Sequence, residues 1–309
     1  MSTRTLTAAI GNTPLVELTR MSPRPGVRLF AKLEGHNPSG SIKDRVASAL
    51  VSCLEKHRGL RPGDTLIEAS TGNTAIALAM LARQRGYHLK VVVPHGVVPS
   101  IEDILDLFGV EIIWCEPHAG MRGAIERTRE LAAKHGWHAV GQFDNPVNLR
   151  THYETTGAEI AAQLPQVDAL VAGIGTGGTL MGVGRRLRET NPHLKIVGVE
   201  PKMGEKLQGL RSLDDAYCPP LLKLDELNGR FLVSSATALQ TAREVVQTEG
   251  VLAGVSAGAA LHAARRIAER MERGNIVVMF SDGAWKYLPA RPWEAAQANS
   301  ECLDETHWW

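Results

Sequence analysis

The 309 residues carry 34 Lys and Arg against 33 Asp and Glu, and 44% of them are hydrophobic. That is apolar material for one large or two modest domains, and a net charge of +1 gives no global reason to expect a nucleic acid or an anionic membrane surface as partner. No apolar run approaches the roughly 20 residues a membrane helix needs, nothing near Met1 reads as a secretion signal, and the four cysteines form no C-x-x-C pair, so a cytoplasmic setting with reduced thiols is expected.

In chain order, a strand is expected at "VRLFAKLE" (27–34) and a helix at 43–57, joined by the turn "NPSGS". Lys43 falls where that turn becomes helix, an unfavourable place for a cation because the helix dipole favours anions there. Either it is a solvated surface lysine, or it is an amine whose lowered basicity serves Schiff-base chemistry with an aldehyde cofactor. The strand "TLIEA" (65–69) then leads through Ser70, Thr71, Gly72, Asn73 and Thr74 into a helix at 73–86. One N-cap needs one such residue; the surplus of hydroxyls and amides suits a carboxylate ligand.

Further strands are expected at 89–94, 110–115, 138–143, 169–174, 195–200 and 275–280, with helices at 120–135, 152–163, 179–189, 236–249 and 257–272. Several strands are apolar throughout, as parallel strands covered on both faces are. The alternation implies α/β architecture with open twisted sheets and helices on both faces. The strand at 169–174 runs into Gly175, Thr176, Gly177, Gly178 and Thr179, where glycines allow backbone amides to converge at a helix start. This is a phosphate site or a tight strand–helix turn; no Walker G-K-[ST] follows it. Ser256, between glycines at another helix entry, reads singly as an N-cap. The stretch 201–235 has weak periodicity and reads as a functional loop. Within it, Asp214 and Asp215 read as solvated, and no metal is expected because the 11 histidines show no ligand spacing. The terminal "HWW" reads as a segment that packs against this chain or a partner.

In order along the chain, "IGNTPLVEL" (10–18), "NPSGSIKDR" (37–45), "STGNTAIALA" (70–79), "GQFDNPVNLRTHYETTGAEI" (141–160), "GTGGTLMGVG" (175–184), "GVSAGAA" (254–260) and "SDGAWKYL" (281–288) closely resemble the cysteine synthases, fold-type II pyridoxal-phosphate enzymes related to the tryptophan synthase β chain. The resemblance covers nearly the whole chain. It implies that Lys43 holds pyridoxal 5'-phosphate as an internal aldimine and moves the substrate's α-proton. Asn73 would bond the cofactor's 3′-oxygen, Gly175, Thr176, Gly177, Gly178 and Thr179 its phosphate, and Ser256 its pyridine nitrogen. Ser70, Thr71, Gly72, Thr74 and Gln142 would grip the amino-acid carboxylate. The implied reaction is β-replacement: an O-activated L-serine loses its leaving group to give an aminoacrylate, and a sulfur nucleophile adds to give L-cysteine.

Within the family the wording is nearest the B-type synthases, in particular a form that uses O-phosphoserine, and "GLRSL" puts Arg211 where that form has a phosphate-reading arginine. By its own spacing Arg211 is equally an exposed loop residue. The resemblance also implies a homodimer of two α/β domains, with 46–148 as a smaller mobile domain and 1–45 with 149–309 as the larger, and the cofactor between them. The partners implied are an activated serine and a sulfur donor, which includes a sulfur-carrier protein among the options. Thr71 and Ala75 depart from the family's "TSGNTG", the acidic 97–109 replaces a basic pair, and "YLPA" replaces "YLST". These changes leave the cofactor residues intact and put the substrate pair in question. Other nucleophiles, with cystathionine, S-sulfocysteine or diaminopropionate-type products, and a non-catalytic cofactor-binding relative are the alternatives.

Overall fold

The computed structural model describes residues 5–94, 99–116, 119–205, 207–213, 217–290 and 305–307. The strands are β1 (Leu15–Glu17), β2 (Val27–Leu33), β3 (Thr65–Ala69), β4 (His88–Val93), β5 (Glu111–Trp114), β6 (His138–Ala139), β7 (Ala169–Gly173), β8 (Lys195–Pro201), β9 (Gly229–Val233), β10 (Gly274–Phe280) and β11 (Glu305–His307). The principal helices are α1 (Lys43–Arg58), α2 (Asn73–Arg85), α3 (Pro99–Leu107), α4 (Gly120–His135), α5 (Val147–Thr151), α6 (Ala158–Gln163), α7 (Gly178–Arg188), α8 (Ser235–Glu249) and α9 (Val255–Ala268). A π-helical turn, His152–Gly157, links α5 to α6.

The chain divides into two compact units: Met1–Ile10 with Lys43–Asn148, and Gly11–Ile42 with Leu149–Trp309. Residues 5–10 and Lys43, Asp44 and Arg45 group with the smaller unit, where the sequence reading places them in the larger. α1 begins at Lys43, and its first turn stays with the rest of its helix; Ile10 packs into the smaller unit's core.

The larger unit holds a seven-stranded sheet in the order β1-β2-β10-β7-β8-β9-β11. The central five strands run parallel, and β1 and β11 are antiparallel edges. Successive residues point to opposite faces, so one strand feeds two cores: Val171, Val197, Ile276 and Val278 pack beneath α8 and α9, while Leu170, Ile196, Val277 and Met279 pack beneath α7. Burial on both faces is why these strands read as unbroken apolar runs. The smaller unit's sheet, β5-β4-β3-β6, is parallel throughout.

Several elements differ from the sequence expectation. The strand expected over 138–143 is only His138–Ala139, because Gly141 adopts φ +75° and turns the chain. The stretch 201–235 contains β9, and α3 stands inside the acidic 97–109 with Ile101 and Leu105 buried and Leu107 exposed. The helix expected at 152–163 starts at Val147 and carries the π turn. Asp214, Asp215 and the two terminal tryptophans lie outside the described residues. Among the described residues no helix is long and apolar enough to cross a membrane.

Candidate active site

In the smaller unit, Lys43 is the first residue of α1 and half-buried, followed by the buried Asp44 and Arg45. Its predecessor, Ile42, is tied to the larger unit's sheet: the Ile42 amide donates to the carbonyl of Ser281, just past β10, at 2.9 Å.

β3 ends at Ala69, and α2 begins at Asn73 with Gly72 as its N-cap position. Gly72 offers no side chain to close the helix, and Ser70 serves instead: its buried Oγ accepts from the amides of Gly72 and Ala75, each at 3.2 Å. Thr71 is exposed at the tip. Thr74 is buried and donates to Gln142 Oε1 at 2.6 Å, and Gln142 Nε2 donates to the carbonyl of Ala69 at 2.9 Å. Gln142, 68 residues beyond Thr74, therefore closes the same turn.

Behind that turn sits Glu68, on the apolar strand β3 and fully buried. Its Oε1 accepts from the Ala69 amide at 2.9 Å and its Oε2 from the Gln142 amide at 3.1 Å. Burial pushes its carboxyl up to about 7, against the opposing pull of those amides. Sequence reading passed over Glu68; a single carboxylate in the run "TLIEA" was the signal available.

In the larger unit, β7 passes through Ile174 into the bend Gly175–Thr176–Gly177 and then α7. Gly177 has φ +83°, and a Cβ there would lie 2.7 Å from Leu222 Cβ and 2.8 Å from its Cα and N. Only glycine fits. Thr176 is buried, its Oγ accepting from the Gly178 amide at 3.3 Å. Thr179, on the first turn of α7, lies 3.3 Å from Nε2 of the buried His152.

The segment after β8 closes over the same bend. The Arg211 amide donates to the carbonyl of Ile174 at 2.8 Å, and a Cβ on Gly175 would lie 3.4 Å from the carbonyl oxygen of Gly209. Gly209, at φ +82°, has Ser256 Oγ 3.9 Å from where its own Cβ would stand. Ser256 itself is buried on the first turn of α9. Gly175–Thr179, Arg211 and Ser256 are thus gathered at the carboxyl ends of the parallel strands, where open α/β sheets bind ligands. The Arg211 guanidinium is half-buried and stands 5.8 Å from the centroid of the Tyr217 ring, so it is not a freely solvated loop arginine.

The family model for "Pyridoxal-phosphate dependent enzyme" matches residues 6–282. The chain belongs to that family. Pyridoxal phosphate is accordingly its cofactor. The chain is 38% identical over 285 residues to cysteine synthase B of Escherichia coli, covering 92% of this chain and 94% of that one. It is 36% identical over 282 residues to a cysteine synthase of Staphylococcus aureus, covering 88% and 91%. Among solved structures, an O-ureido-L-serine synthase superposes with a TM-score of 0.90 at 34% identity, covering 97% of this enzyme and 98% of that chain. The α/β fold with two mostly parallel sheets is that of the fold-type II enzymes of this family.

Proposed function

We propose that this enzyme replaces the β-substituent of an O-activated L-serine, O-phosphoserine or O-acetylserine, with a sulfur nucleophile to give L-cysteine. The observation that carries the reading is the glycine bend before α7, a backbone cradle closed by Leu222 at Gly177 and by the Gly209 carbonyl at Gly175, with the buried Ser256 against Gly209. Such a cradle fits a phosphate, and a primary amine at the start of α1 fits an aldehyde. Similarity to two cysteine synthases supports the choice of substrate class.

Bound, pyridoxal phosphate supplies the electron sink that makes an amino acid's α-proton acidic. Lys43 Nζ would hold the cofactor covalently and would be the base that accepts and returns that proton. Gly175, Thr176, Gly177, Gly178 and Thr179 bind the phosphate, and Asn73 the 3′-oxygen. Ser256 Oγ would face the pyridine nitrogen; a neutral hydroxyl there would not keep that nitrogen protonated as a carboxylate would, which would favour elimination over transamination. Ser70, Thr71, Gly72, Thr74 and Gln142 orient the substrate carboxylate, and Arg211 reads a phosphate leaving group with its bidentate fork. The sulfur donor, whether sulfide or a carrier protein, together with a homodimeric state and a cytoplasmic setting, belongs to the same reading.

The test is a panel of O-phosphoserine, O-acetylserine and serine, each with sulfide, assayed for cysteine. Activity with an activated serine is expected, with loss of the cofactor's yellow colour and of turnover in Lys43→Ala. Arg211→Ala is expected to lose O-phosphoserine selectively. No cysteine from any donor, together with unchanged colour in Lys43→Ala, overturns the proposal.

A second reading rests on Thr71 and Ala75, which alter the substrate turn, and on the O-ureido-L-serine synthase likeness. In that reading a β-replacement that forms O-ureido-L-serine needs the hydroxyl oxygen of N-hydroxyurea as its nucleophile. Supplying it in place of sulfide in the same panel decides between the two.

A further inference from the structure

The π-helical turn His152–Gly157 is clamped to α7 at two glycines. A Cβ on Gly182 would lie 2.4 Å from the carbonyl oxygen of Leu149 and 2.7 Å from His152 Cβ; one on Gly157 would lie 2.8 Å from Arg186 Cβ. These close approaches bring His152 against the first turn of α7, and π turns recur at functional sites. The ring is 1% exposed and spans two hydroxyls: Nδ1 lies 3.0 Å from Oγ1 of the buried Thr156, and Nε2 lies 3.3 Å from Thr179 Oγ1.

A threonine hydroxyl has one proton and two lone pairs. To donate to a phosphate oxygen, Thr179 must not spend its proton on the imidazole. The two neutral tautomers therefore differ in effect. With the proton on Nδ1, Nε2 competes for the Thr179 proton and turns the oxygen's lone pairs toward the anion. With the proton on Nε2, the ring donates to Thr179 Oγ1 and leaves the hydroxyl proton for the phosphate, while Nδ1 accepts from Thr156.

We propose that His152 is a positioning residue for the cofactor phosphate, held as the Nε2–H tautomer by Thr156 so that Thr179 is fixed as a donor to that phosphate. The proposal rests on the reading of Thr179 as a phosphate ligand.

In holoenzyme carrying 15N-histidine, long-range 1H–15N spectra report which ring nitrogen bears the proton. A bare Nδ1 with a protonated Nε2 is expected for His152, and the opposite assignment overturns the proposal even if no variant folds. Release of pyridoxal phosphate from the holoenzyme on dilution supplies the second measurement, on His152→Leu, Thr179→Val and the double variant. Each single variant is expected to weaken retention about tenfold, one charge-assisted hydrogen bond's worth, and the double variant no further. Independent losses that multiply to about a hundredfold indicate a merely structural His152 and overturn the proposal. His152→Gln keeps a side-chain N–H and is expected to restore retention to within about threefold of the parent, since the donor to Thr179 is preserved. Unchanged retention in Thr179→Val would instead remove the phosphate reading on which the proposal stands.

Discussion

Two strand–turn–helix junctions, one in each unit, stand at the carboxyl ends of parallel strands and are made of opposite materials. After β3 the turn presents side chains: Ser70 closes α2, Thr74 and Gln142 bond each other, and Thr71 faces out. After β7 the bend presents backbone: Gly175, Gly177 and Gly178 leave little besides amides and the two threonine hydroxyls. A surface made of side chains is retuned by a single substitution. One made of backbone is not, because the only change available is to add a Cβ, and at Gly177 none fits. The departures from the family's wording follow this division: Thr71 and Ala75 fall at the side-chain turn, while the glycine bend keeps the pattern entire.

The sharpest way to break that contrast is Gly177→Ala. A side chain there meets the Cα and N of Leu222, which are backbone and cannot swing aside, in a conformation at φ +83°. The left-handed conformation costs about 1–2 kcal/mol, and overpacking adds about 1–3 kcal/mol. Retention of pyridoxal phosphate is expected to fall more than about a hundredfold, by the conversion of roughly 3 kcal/mol into an equilibrium constant. Thr71→Ala, on the exposed tip of the other turn, is expected to leave retention unchanged. Equal effects of the two substitutions on retention would erase the distinction between the junctions.

A pH experiment probes the support of the side-chain turn. Burial raises Glu68 from 4.5 to about 7 in the folded enzyme, and the nearby Asp144 pushes it the same way. The folded state therefore holds a proton that the unfolded chain has released, and stability falls as pH rises between those values. The full difference is about 3 kcal/mol, favouring the enzyme below about pH 4.5 and lost above about pH 7. Glu68, Thr128, Arg129 and Asp144 line a cavity of about 200 Å³ beside the turn. Denaturation at pH 5 and pH 8 is expected to show most of this loss in the parent and not in Glu68→Gln, whatever the variant's own baseline. A parent and variant with the same pH slope would show that Glu68 keeps one protonation state throughout.

Much of the architecture is legible in the sequence, for reasons that particular elements make plain. The strand expected at 65–69 and the helix at 120–135 are found with those bounds, because "TLIEA" is flanked by turn residues and Gly136 ends α4 in the left-handed conformation. β9 is hidden in the sequence because "GRFLV" is five residues long, holds a charge itself and follows the charged run "KLDELN". The false length of the strand at 138–143 has one cause, the positive φ of Gly141, which no apolar pattern records. The turns themselves announce their chemistry through crowded Ser, Thr and Gly. His152 and Glu68 do not, since each matters through partners 27 and 74 positions away, and such pairings exist only after folding.

The gentlest test concerns the Thr74–Gln142 bond, which joins residues on opposite sides of the side-chain turn at 2.6 Å. Thr74→Val keeps the shape and removes the donor, leaving Gln142 Oε1 buried without it. Such a loss is worth about 1–3 kcal/mol, and the low end corresponds to about a fivefold rise in KM for the activated serine. Cofactor retention should move less than about twofold, because no phosphate-binding group is touched. Thr74→Ser restores the hydroxyl without the methyl and is expected to return KM to within about threefold of the parent. The informative quantity is the split between the two readouts. A valine variant that loses cofactor and substrate affinity together would mean the two junctions respond as one, and the division of labour between side chain and backbone would have to be given up.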